Sequence, residues 1–166
     1  MTSISKSILS FVDQQKLQFL LGNVIDTCMK HEVVSYAIIL LMDDQQEFKL
    51  KLSSRDAEIE VMENDLSTLN LSFPDSLLKH TIERGTKLKL TNLSSEKNFR
   101  TDPYVIHKNP QAVLCSLIKT NEEVLGALYV EAELNTSPFS AADLALFAGL
   151  CSQLALSLVS TARYEE

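Results

Sequence analysis

"AVLCSLIKTNEEVLGALYVEAEL", residues 112–134, decides how this chain is read. Two apolar runs flank the polar break Thr120–Glu123. Runs this short, rich in Val, Leu, Ile and Tyr and separated by turn-forming residues, predict a pair of antiparallel strands. Both faces of the pair are apolar, so its sheet is expected to be covered on both sides. Cys115 in one run and Glu131 in the other raise a second question. Either they begin a reactive site, or they belong to a hairpin in which neither does chemistry.

Outward from the hairpin the periods alternate between two and 3.6. Leu17, Leu20, Leu21, Val24 and Cys28 recur at three and four, predicting an amphipathic helix over Gln14–Lys30. Residues 1–13 read as a Ser-rich lead-in or a short helix. "SYAIILLMDD" and "EFKLKLSS" read as a hairpin turning at Asp43–Gln46, with Phe48, Leu50 and Leu52 sharing one face. "AEIEVME" is expected to be a short or edge strand. "LSFPDSLLKHTIERG" predicts a helix, with Ser72 and Asp75 spaced as a capping box and Gly85 at its end. "KLKLTNL" predicts a strand, and residues 92–111 a long polar segment with one helical turn near Pro103–Lys108. The last helix starts at a second capping box, Ser140 with Asp143, and stays periodic to the C-terminus. That continuity leads us to expect that it runs on into a following domain. The order predicts one α+β domain over residues 14–166.

Composition narrows the classes. An apolar fraction of 45% and a charged fraction of 22% are globular values. A net charge of −7 and a pI near 5.0 disfavour nucleic acid and anionic membranes as partners. No uninterrupted run of about eighteen apolar residues is present, so no membrane span is expected. Three cysteines without CxxC spacing predict free thiols and a cytoplasmic location. His31, His80 and His107 are scattered and show no metal-ligand spacing; all three are read as surface residues.

The element order, "FPDSLLKHTIERGTKLKLTNL" and the run from "DPYVIHKNPQAVLCSLIK" through "GALYVEAELNTSPFSAADLALFAGLCSQLALSLVSTARY" together resemble the GAF domain, a sensor module of multi-domain signalling kinases. The likeness spans roughly residues 14–164 and is most specific in the C-terminal half. It implies a GAF-like, PAS-related six-stranded antiparallel sheet with helices on both faces. The terminal helices would pack on one face, and a small-molecule pocket would form over the other.

The resemblance leaves several chemistries to weigh. Cyclic-nucleotide-binding members carry an Asn-Lys pair where Ala132 and Glu133 stand here. Phe139 and Asp143 fit their pattern but Leu144 does not, so a cyclic nucleotide is weakened and stays open. The cysteine that holds a bilin in phytochrome-type members aligns near Tyr104, while Cys115 lies inside a strand, so no covalent bilin is expected. A methionine-sulfoxide-reductase-like thiol enzyme would need partnered cysteines. Cys28 and Cys151 fall on helix faces away from the pocket and Cys115 has no evident partner, so all three read as core residues. The expectation is a non-catalytic regulatory domain with a ligand of unknown identity, no metal, an adjacent output domain and a homodimeric state. Alternatives are a thiol-based redox enzyme or sensor, or a GAF domain that only dimerises. Residues named for a ligand are Phe99, Arg100, Tyr104, Ser116, Tyr129 and Glu131. Those named for a dimer are Leu146, Leu150 and Ser157, near the small residue Gly149.

Overall fold

The structure is a computed structural model and describes residues 12–56, 58–62, 72–85, 87–121, 123–133 and 139–165. Most of the lead-in expected over residues 1–13 therefore lies outside the described residues. Among the described residues, four α-helices and six strands follow in the order α1 (Gln14–Met29), β1 (Val34–Met42), β2 (Phe48–Ser53), β3 (Glu60–Val61), α2 (Asp75–Arg84), β4 (Leu88–Thr91), α3 (Pro103–Lys108), β5 (Ala112–Lys119), β6 (Val124–Ala132) and α4 (Ala141–Glu165), with one 3-10 turn at Leu93–Ser95. The strands form one antiparallel sheet in the order β3-β2-β1-β6-β5-β4. Both strands of the β5–β6 hairpin are interior, as its two apolar faces require, and β6 pairs with β1 at the centre of the sheet.

Side-chain alternation divides the core in two. Ala37, Ile39, Leu41, Leu114, Ile118, Leu128 and Val130 face α1 and α4. There they meet Leu21, Cys28, Phe147, Cys151 and Leu158. Tyr36, Ile38, Leu40, Val113, Cys115, Ala127 and Tyr129 face the other way, under Phe73, Leu77, Leu78, Phe99, Tyr104 and Val105. Burial of each large apolar side chain contributes about 1.5–3 kcal/mol, so both layers stabilise the sheet. Gly126 is required where β6 crosses β1. A Cβ there would lie 2.0 Å from the carbonyl oxygen of Leu40.

Helix ends follow local chemistry. Asp13 caps α1 by accepting the N–H of Lys16 at 3.0 Å. The Ser140–Asp143 capping box forms in both directions, at 2.9 and 3.1 Å. Gly85 ends α2 with φ of 73°, a conformation that glycine adopts without a Cβ penalty.

The structure corrects two expectations here. Ser72 and Asp75 form no capping box: Pro74 occupies the cap position, and Ser72 instead accepts from Lys51 Nζ at 2.9 Å and, through its carbonyl, from Tyr36 at 2.7 Å. Phe48 does not share a face with Leu50 and Leu52. Leu50 pairs with Leu41 and Phe48 with Met42, so β2 has an extra residue at Lys49. That bulge turns Phe48 over, onto Phe73 at 5.5 Å between ring centroids.

Candidate functional site

The face of the sheet opposite the terminal helices carries a carboxylate in an apolar setting. Glu131 lies near the end of β6, paired with Tyr36 on β1 and Val113 on β5. It shares a face with Tyr129, as alternation requires. Its Oε2 accepts the hydroxyl of Tyr129 at 2.7 Å and also that of Tyr104. The rings of Tyr104 and Tyr129 meet edge to face at 6.2 Å. All three tyrosines are buried while Glu131 is half-buried. Burial and the neighbouring Glu131 charge raise the phenol pKa values of Tyr36, Tyr104 and Tyr129 well above the ordinary range. The phenols are therefore hydrogen-bond donors at neutral pH, not acids.

Tyr104 reaches this position through α3, whose first turn is fixed by Asp102. Its Oδ1 accepts the N–H of Tyr104 at 2.8 Å, with Pro103 in the N1 position that suits proline. The other oxygen, Oδ2, accepts the N–H of Ser76 at 2.9 Å and the Ser76 hydroxyl. One buried carboxylate thus caps two helices and fixes α3 relative to α2. At the edge of the cluster, the exposed Arg55 guanidinium lies 4.6 Å from the ring centroid of Tyr36.

Of the residues expected to meet a ligand, Tyr104, Tyr129 and Glu131 come together. Phe99 is buried in the same layer, edge-on to the ring of His80 at 5.4 Å, so His80 is a packed residue rather than a surface one. Arg100 is exposed. Ser116 is a correction. It pairs with Leu128 on the helix-covered face, one residue out of phase with Cys115, and its carbonyl meets the Cys151 thiol at 3.9 Å. Tyr36, Arg55, Ser76 and Asp102 enter without having been singled out. The dipeptide Asp102-Pro103 is an N-cap signal readable from sequence, whereas the pairing of Tyr36 with Glu131 needs the strand register.

The sheet separates Cys115, which lies under α2, from Cys28 on α1 and Cys151 on α4, which share the other core layer. Burial pushes all three thiols up to about 12. Among the described residues no three His, Cys, Asp or Glu side chains are grouped to hold a metal ion.

On the opposite side, α1 and α4 enclose grooves of about 470 Å³ beside Phe19 and Thr161 and about 200 Å³ beside Leu150 and Ser157. Leu146 and Gly149 lie on the exposed face of α4, whereas Leu150 packs partly against the domain's own core. The most exposed apolar side chains of this surface are Leu156, at 72%, and Phe19, at 67%. Residues Ala141–Ala162 of α4 have the length and mean hydropathy, 1.7, of a membrane-crossing helix. Gly149 and several polar residues interrupt its apolar run without making the helix polar overall. Phe147, Cys151, Leu154 and Leu158 nevertheless place one side of that helix in the domain core. At its start His31 Nε2 contacts Asp143 Oδ1 at 2.7 Å, joining the end of α1 to the beginning of α4.

The model of the family described as "GAF domain" matches residues 21–158. Over 82 residues the chain is 30% identical to hybrid signal transduction histidine kinase G of Dictyostelium discoideum. That stretch is 49% of this chain and 2% of the kinase, so the chain spans a small fraction of its relative. The GAF domain/HD domain protein of Geobacter sulfurreducens superposes with a TM-score of 0.68 at 20% identity, over 95% of this chain and 98% of that one. The type II free methionine-R-sulfoxide reductase of Thermoplasma acidophilum gives 0.57 at 16% identity, over 89% and 95%. At these identities the structural likeness concerns the fold.

Proposed function

The chain belongs to the GAF domain family, and from that premise we propose that it is a non-catalytic sensor module of a signalling protein, most closely a sensor kinase. It takes a small molecule over the face that carries Glu131 and transmits occupancy to its terminal helices. One observation carries this reading: a half-buried carboxylate held by two buried phenols on an otherwise apolar sheet face. Polar groups are costly in such a place unless they are hydrogen-bonded, and a few convergent ones in an apolar wall are what orients a ligand.

Strand geometry supports the transmission. On β6 the residues flanking Glu131, Val130 and Ala132, belong to the core under α1 and α4. A shift of Glu131 on one face therefore moves side chains that support the terminal helices on the other. The exposed stripe of Leu146, Gly149 and Leu156, with Phe19 on α1, suits a second copy of the chain, because small residues beside leucines let helices approach. On this reading the module works as a cytoplasmic homodimer beside an output domain. Three buried thiols raised to about 12, with Cys115 across the sheet from Cys28 and Cys151, disfavour the thiol-enzyme alternative.

A thermal-shift screen of the purified chain against small metabolites tests the reading. A ligand at a hundredfold its Kd stabilises the fold by about 2.7 kcal/mol. The shift is expected to shrink in Tyr104→Phe. A chain that dimerises yet binds nothing would instead be a dimerisation module alone.

A further inference from the structure

We propose that the Glu131 cluster recognises a small organic cation, an ammonium or guanidinium head carried on a compact apolar body; this rests on the sensor reading above. Glu131 forms no ion pair among the described residues, and neither does Arg55. Of the two carboxylate oxygens, Oε2 takes both phenols, while Oε1 accepts no hydrogen bond from the described residues. No buried side-chain oxygen among the described residues lacks a partner, so Oε1 lies where solvent reaches it. The site thus offers at its mouth a carboxylate with no direct ion pair among the described residues, with the exposed Arg55 cation at the edge of the same cluster.

Its walls favour the same sign. Tyr36, Tyr104 and Tyr129 pack around the carboxylate as buried rings, and the face of Tyr36, through its quadrupole, is the one that meets a cation among the described residues. The phenols stay protonated and donate to Glu131, so they hold the carboxylate in place without neutralising it. The Tyr36 face already accepts a cation, the guanidinium of Arg55. Arg55 is exposed and lies in the turn after β2, so it can swing away and yield that ring face to a ligand. The net charge of −7 raises the local concentration of cations over anions.

Calorimetric titration of the full chain with choline and with methylguanidinium, at constant ionic strength, tests this directly. The uncharged carbon isostere of choline, 3,3-dimethylbutan-1-ol, is the control. Saturable binding of at least one cation is expected, with no saturable binding of the isostere. Glu131→Gln, its fold checked by circular dichroism, should weaken the cation at least tenfold. Equal binding of the isostere, unchanged affinity in Glu131→Gln, or failure of both cations would overturn the proposal. If the cations fail while a neutral or anionic metabolite still stabilises the chain in a Tyr104-dependent way, the cation assignment falls and the sensor reading stands. If nothing binds, both fall.

Discussion

Asp102 and Ser76, twenty-six residues apart, are joined by two hydrogen bonds, from the Ser76 N–H and hydroxyl to one carboxylate oxygen. The other oxygen caps the helix that delivers Tyr104. The candidate site is therefore positioned by a group that does not face it. Asp102→Ala leaves two helix N-termini without that acceptor and is expected to cost about 2–3 kcal/mol. Asp102→Asn, which keeps one acceptor oxygen, should cost less. Urea denaturation of the two variants against the parent chain measures both.

Gly126 sits where β6 passes the Leu40 carbonyl too closely for any side chain. Gly126→Ala should destabilise the domain by about 3 kcal/mol or leave it unfolded, since the obstacle is backbone that cannot turn aside. Gly22, inside α1 and with open space around its Cβ position, is the contrasting case. Gly22→Ala should raise the melting temperature slightly, through helix propensity of up to about 1 kcal/mol.

The thiols give a test of the redox alternative. Burial raises all three to about 12, so almost none of each is thiolate at pH 8, and burial blocks access as well. The folded chain should show almost no reaction with a disulfide reagent over minutes, and all three cysteines should react in denaturant. One fast-reacting thiol in the native state would revive the redox reading.

Asp143 links acid stability to the helix junction. The Ser140 N–H, and then His31, hold its carboxyl below the usual carboxylate range. A depressed value means that the contribution is present above the unfolded value, about 3.9, and is lost as pH falls through the folded one. The stability difference between the parent chain and Asp143→Asn should therefore narrow below about pH 4. Denaturation midpoints measured from pH 3 to 7 follow it.

For the dimer, structure changes the choice of residue. Leu150 packs partly into its own core, so Leu150→Glu would confuse folding with association. Leu156→Glu, on a 72% exposed side chain, should abolish concentration-dependent dimerisation in sedimentation while leaving the fold intact. A chain that is monomeric at high concentration would remove the dimer from the account.

Sequence patterning made the fold legible because each element declares its own period, and the β5–β6 hairpin does so on both faces. The site was legible only in part. Glu131 and Tyr129 stand two apart on one strand, so alternation alone joins them, and the resemblance pointed to the loop that brings Tyr104. Ser116, a ligand candidate by its place in the hairpin, is one residue out of phase with Cys115, and its register with Leu128 puts it on the face of α1 and α4. Phe48 shows the limit more sharply, since a one-residue bulge reverses a face and leaves no mark in the alternation. Tyr36, Arg55 and Asp102 depend on contacts across strands and helices that local pattern does not encode.

The central claim is that ligand binds over the face bearing Glu131. It is tested most directly by two-dimensional NMR of the labelled chain, titrated with a compound that stabilises it. The first and largest shifts should come from Tyr36, Tyr104, Tyr129 and Glu131, with smaller changes in α1 and α4 following in proportion. Shifts confined to the grooves beside Phe19, Leu150 and Ser157, with the tyrosines unmoved, would contradict it.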